Sequence, residues 1–124
     1  MTMAQNKVTV FDDDIVEIQV IGDQTRATVL AMGELANGLL NSLKSQNKRC
    51  LVLDDVTAMG VTDTAARRAV KDLASSLHYE KAAMVGSGNL VMRYGTKFLL
   101  QAIGMDHKIK YFENRQDAIN WLRS

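Results

Sequence analysis

Between residues 50 and 122 the chain repeats one unit nearly three times: a short apolar run, a turn of small polar residues, and an amphipathic stretch of helix length. The runs are Cys50–Leu53, Ala82–Val85 and Ile109–Phe112. Each is too short for a helix and rich in residues that suit a buried strand. Strands that are apolar on both faces and joined by helices make a mostly parallel sheet covered by those helices. The class is therefore α/β. No catalytic or metal-ligand motif of recognised spacing accompanies the pattern, so function has to be argued from the fold and its turns.

A chain of 124 residues fits one domain, expected over residues 1–124, and a domain of this size buries roughly two thirds of its unfolded surface. Fifteen basic residues face fourteen acidic ones. The basic positions are scattered and not interleaved with aromatics, which argues against a nucleic-acid partner. The single cysteine, Cys50, begins an apolar run and reads as a small buried hydrophobe; one cysteine forms no internal disulfide, which suits a reducing compartment. Residues 1–14 lack a cationic region followed by an apolar core, and no apolar stretch approaches the ~18 residues of a membrane span. The expectation is a cytoplasmic protein without a membrane span.

Lys7–Phe11 and Ile15–Ile21 flank Asp12-Asp13-Asp14, and Val16, Ile18 and Val20 alternate with Glu17 and Gln19. This predicts an antiparallel hairpin with one wetter face at the edge of the sheet. After a turn at Gly22-Asp23, residues 25–46 carry apolar side chains at helical spacing. Gly33 and Gly38 within that helix each cost about 1 kcal/mol relative to alanine, which predicts close packing there. A second helix is expected from Asp63 to His78, with Ala66, Ala69, Val70, Leu73 and Leu77 inward, and a last one over Arg115–Arg123, anchored by Ala118, Trp121 and Leu122.

The segment Asn89–Ile103 differs from these helices, because Arg93, Thr96, Lys97 and Gln101 are its only clearly polar positions after the first residue. A helix so apolar must be covered on a second side. Leu90, Met92, Leu99 and Ile103 are the candidate interface of a homodimer, and Tyr94 and Phe98 are candidate contacts to an apolar ligand.

Ligands of parallel sheets favour the carboxyl ends of strands, where Asp54, Asp55, Thr57, Asp63, Thr64, Ser87 and Asn89 should gather. Gly86-Ser87-Gly88-Asn89 follows a strand directly, and its glycines would let backbone donors approach an anion or ligand at a helix start. Asp54 and Asp55 point to opposite faces if their strand continues, which rules out an acid–base dyad. His78 and His107 have no ligand-spaced neighbours. No metal site, cofactor or catalytic set is expected.

The element order, together with Leu51-Val52-Leu53-Asp54, the aromatic pair Tyr111-Phe112 and the closing Asp117-Ala118-Ile119-Asn120-Trp121-Leu122, resembles the SpoIIAA-like or STAS superfamily, in particular its STAS/SEC14-like branch of small bacterial proteins. The resemblance implies a mixed, mostly parallel sheet of about five strands, with an N-terminal antiparallel hairpin and about four helices. It also implies a non-enzymatic binding module that forms a homodimer, holds an apolar or lipid-like ligand, or does both. The alternative it offers is a regulator of the anti-sigma-factor-antagonist type, switched by phosphorylation at a helix start. In this chain that place reads Asp63-Thr64-Ala65-Ala66, with Thr64 as the acceptor by position. The same position suits ordinary capping of the helix by Thr62 or Asp63.

Overall fold

The computed structural model describes residues 5–86 and 108–124. Its elements in order are β1 (Lys7–Phe11), β2 (Ile15–Gln24), α1 (Arg26–Ser45), β3 (Leu51–Thr62), α2 (Thr64–Ser76), β4 (Lys81–Val85), β5 (Ile109–Phe112) and α3 (Arg115–Arg123). Three helices thus lie among the described residues. The further helix expected over Asn89–Ile103 falls outside them.

The five strands form one sheet in chain order, with β1 antiparallel to β2 and every later pair parallel. The hairpin turns through Asp12 and Asp13, both with positive φ (52° and 66°), and closes with Asp14 N–H donating to the Phe11 carbonyl at 3.3 Å. Aspartate tolerates that conformation better than most residues because its short side chain bonds locally. The crossovers β2–α1–β3 and β3–α2–β4 advance in one direction along the sheet, and with the same hand, the right-handed rule for such connections, they put α1 and α2 on one face. On that face Val16, Ile18, Val52, Ala82 and Met84 meet Val29, Ala36, Leu40, Ala66 and Ala69. On the other face α3 supplies Ala118, Ile119 and Leu122 to Ile15, Leu51, Leu53, Ala83 and Val85.

Local chemistry sets the helix ends. Thr25 caps α1 in a reciprocal pair, its hydroxyl accepting from Thr28 N–H (3.3 Å) while Thr28 Oγ1 accepts from Thr25 N–H (2.9 Å). Asp63 caps α2 by accepting from Ala66 N–H at 2.8 Å, and Asn114 caps α3 through Asp117 N–H at 3.1 Å. At Gly33 a Cβ would run into Leu73 of α2, so this glycine sets the approach of the two helices. Gly38 meets nothing within 4 Å, and the close packing expected there is absent.

Two strands depart from the sequence expectation. The expected turn at Gly22-Asp23 is an irregularity inside β2, where Gly22 takes φ 80° and the pairing with β3 shifts register on both sides. At each shift β3 carries one extra residue, a bulge that bends the pair without ending it. Correspondingly β3 runs for 12 residues to Thr62 instead of stopping at Leu53, and Val61 N–H donates to Asp23 Oδ1 at 2.8 Å to pin the extension. The expected wetter face of β2 is also covered. Glu17 is only 8% exposed, because Arg115 of α3 reaches over it. No helix among the described residues is long and apolar enough to cross a membrane.

Candidate functional site

Side chains alternate along β3, so Val52, Asp54 and Val56 face α1 and α2 while Leu51, Leu53 and Asp55 face the other way. The two aspartates therefore part, as expected, and meet different fates. Asp55 is held locally: its Oδ1 accepts from Thr57 N–H at 3.0 Å and from Thr57 Oγ1 at 2.6 Å. Asp54 pairs in register with Ile18 of β2 and Met84 of β4. It sits in the middle of the central strand rather than at the sheet edge, because β3 continues eight positions beyond it.

Between this face and the two helices lies a cavity of about 170 Å³. Ile18, Val20, Val29, Met32, Ala36, Val52, Val56, Val70, Leu73, Leu77, Ala82 and Met84 form its apolar wall. Its polar lining among the described residues is Gln24, Asp54, Thr62, Arg67 and Tyr79. Most of these groups are occupied. The Gln24 amide donates to Asn6 Oδ1 (3.0 Å) and to the Ile21 and Gly22 carbonyls, while its oxygen accepts from Asn6 Nδ2 (2.8 Å) and Thr28 Oγ1. Tyr79 donates its hydroxyl to the Ala74 carbonyl at 3.3 Å, and Arg67 Nε donates to the Thr62 carbonyl at 3.2 Å.

Two buried side-chain oxygens have no hydrogen-bond partner among the described residues: Asp54 Oδ1 and Thr62 Oγ1. Both belong to residues that line the cavity. Burial first, and the neighbouring charge of Asp55 second, push the Asp54 carboxyl up to about 7, since a carboxylate in apolar surroundings loses its hydration. Burial first and the Asp54 charge second likewise push the Tyr79 phenol up to about 12. The chemistry available on the described lining is that of one acid, near half-ionised at neutral pH, on a largely apolar wall that also carries the Arg67 guanidinium.

The residues singled out in the sequence are not brought into one cluster. Asp54 lines the cavity, and Thr57 is an exposed partner of Asp55. Asp63 is the α2 cap and Thr64 the exposed first residue of that helix, while Gly86 is buried just past β4, its N–H donating to the Phe112 carbonyl at 3.1 Å. Ser87, Gly88, Asn89, Leu90, Met92, Tyr94, Phe98, Leu99, Ile103 and His107 lie outside the described residues. Cys50 is half-buried, its Sγ 3.8 Å from the Leu40 carbonyl, and it borders an open depression with His78, Lys44, Lys48, Arg49 and Lys108. Sequence reasoning missed the cavity itself. Its one signal was Asp54 in register with Val52 and Val56, a charge on the buried side of a strand.

Comparison with known proteins bears on the fold. A family model described as SpoIIAA-like matches residues 15–123. No curated protein matches the chain in sequence. Among solved structures, it is similar to an uncharacterised protein of the DUF3478 family with a SpoIIAA-like fold from Shewanella loihica PV-4, at 19% identity and TM-score 0.70, over 98% of this chain and 97% of that one. An anti-sigma factor antagonist from Mycobacterium paratuberculosis is similar at 15% identity and TM-score 0.68, over 98% and 96%. The anti-sigma factor antagonist SpoIIAA in its unphosphorylated form is similar at 11% identity and TM-score 0.61, over 96% of each chain.

Proposed function

This chain belongs to the SpoIIAA-like family, and from that premise we propose that it is a binding module that holds a compact apolar molecule between its sheet and α1 and α2, without turning it over. The observation that carries this reading is the apolar cavity of about 170 Å³. Apolar cavities of about 150 Å³ stay dry and take up benzene-sized guests. The described space suits a ring better than the long chain of a lipid-like ligand. A binding role is favoured over turnover because the described lining offers a carboxyl with no serine, cysteine, histidine or lysine beside it.

Thermal unfolding with toluene as the probe tests the reading. At ~100 times its Kd a ligand adds roughly 2.7 kcal/mol, which for a domain of this size raises Tm by about 10 °C. The substitution Ala36→Phe, which puts a ring into the space, should abolish the rise. No shift in the unmodified protein overturns the reading. Native mass spectrometry followed by denaturation of the same sample detects a retained natural ligand as mass that is lost. The same experiment tests the second part of the proposal, a homodimer formed through the apolar segment Asn89–Ile103.

A regulator of the anti-sigma-factor-antagonist type is the second reading, favoured by the similarity to two such antagonists and by the exposure of Thr64 at the start of α2. A phosphate there would meet the positive end of the helix, with Arg67 and Arg68 one turn on. It would also crowd the Asp63 carboxylate that already caps the helix. On this reading, peptide mass spectrometry of protein from its own cells finds phosphate on Thr64. An unmodified Thr64 peptide under every growth condition removes it.

A further inference from the structure

Resting on the cavity reading above, we propose that the site selects compact apolar amines, with the protonated nitrogen paired to the Asp54 carboxylate and the hydrocarbon part filling the space beside Val52, Met84 and Leu73. The polar lining limits what a guest can offer it. Gln24, Tyr79 and the Arg67 Nε are engaged as donors to oxygens of the protein. What is left without a partner is Asp54 Oδ1, an acceptor when the carboxyl is ionised, and the Thr62 hydroxyl, which can both accept and donate. A guest that brings N–H donors satisfies an acceptor-only carboxylate, whereas a guest that brings another carboxylate is repelled.

Charge points the same way. Asp54 makes no hydrogen bond or ion pair among the described residues, and its immediate neighbour Asp55 adds negative potential. The other ionisable groups facing the cavity are Arg67 from α2 and Tyr79, the latter with Lys108 Nζ 4.9 Å from its ring centroid. The lining residues of α1, β2, β4 and β5 carry no ionisable side chain among those described. Arg67 is the one positive charge on the described lining and Asp54 the one carboxyl, so a cation inside the cavity finds its complement at Asp54 and is repelled from the Arg67 side. The volume limits it to about one ring and a short arm.

Calorimetric titration with benzylamine and its uncharged near-isostere benzyl alcohol, on the full chain, tests the selection. At pH 8 the wild type should bind benzylamine at least tenfold more tightly than benzyl alcohol. Because the Asp54 carboxyl titrates near 7, the preference should shrink by about tenfold at pH 6, where benzylamine remains protonated but the carboxyl does not remain charged. Asp54→Asn should bind the two probes equally at both pH values. Equal binding by the wild type at pH 8, or an amine preference that survives Asp54→Asn, overturns the proposal and leaves the cavity reading standing. Failure of benzylamine, benzyl alcohol and toluene alike overturns both.

Discussion

Asp54→Asn is expected to stabilise the ligand-free protein at pH 8 by about 2–3 kcal/mol and to leave it unchanged at pH 4. In the unfolded chain the carboxyl ionises near 3.8, and in the fold it keeps its proton up to about 7. Between those values the folded state binds a proton that the unfolded state has released, so stability falls as pH rises and the loss is complete above the folded value. A gap of about three pH units corresponds to about 4 kcal/mol as a ceiling. Asp54 is not wholly enclosed, and the exposed part lowers the expectation. Urea denaturation of both proteins from pH 4 to pH 8 measures it: the wild-type curve should descend where the asparagine variant stays level. Parallel curves would show that the carboxyl is hydrated in the fold.

A group that weakens its own fold at neutral pH is poorly explained by structure alone. The central strand offers the same position to leucine or valine, which would pack against Val52 and Val56 at no electrostatic cost. On the amine proposal, a carboxyl held there is accounted for by what it binds. This is the energetic counterpart of the amine proposal, and it ties the cavity's chemistry to the stability of the sheet that builds it.

The second large effect is expected on the opposite face. Arg115→Ala should destabilise the protein by about 2–3 kcal/mol, and Glu17→Leu combined with Arg115→Met should recover most of that loss. Arg115 Nη1 and Nη2 donate to the two oxygens of Glu17 at 2.6 and 3.0 Å, with the guanidinium 5.1 Å from the ring centroid of Phe11. This hydrogen bond is the main reason that the Arg115 guanidinium is held above its ordinary range. Removing one partner of a buried pair leaves the other charge uncompensated and costs about 3–5 kcal/mol. Here the arginine side chain is 40% exposed, so water reaches the gap and the expectation is lower. Replacing both partners with apolar residues removes the debt. Chemical denaturation of Glu17→Leu, Arg115→Met and their double gives the coupling directly. Arg123→Ala is the control: its partner Asp12 is exposed and Asp14 half-exposed, and no measurable change is expected.

Residues close in sequence made the elements legible. The edge strand Lys7–Phe11, the short strand Ile109–Phe112 and the helix Arg115–Arg123 lie where the apolar spacing places them, and Asp63 is the cap that its place before a helical run implies. The family itself could be recognised from Leu51-Val52-Leu53-Asp54 and the closing Ala-x-x-Trp-Leu, because these are core and turn positions that the fold constrains. The length of β3 was not legible. Asp54, Asp55, Thr57 and Gly60 dilute its strand signal, and only pairing with the far end of β2, across two bulges of its own, carries it to Thr62. The homodimer and ligand contacts expected of Asn89–Ile103 fall outside the described residues.

Periodicity and capping are properties of neighbouring residues, and for that reason the sequence by itself determined the class, the crossovers and the separation of Asp54 from Asp55. Tertiary structure alone decided the rest. Glu17 meets Arg115 across 98 positions, and Asp54 becomes the one acid on the described lining of a cavity only when two helices close over its strand. A carboxyl's surroundings are set by what packs against it from distant parts of the chain, and those surroundings decide whether it is a solvated charge or a binding group.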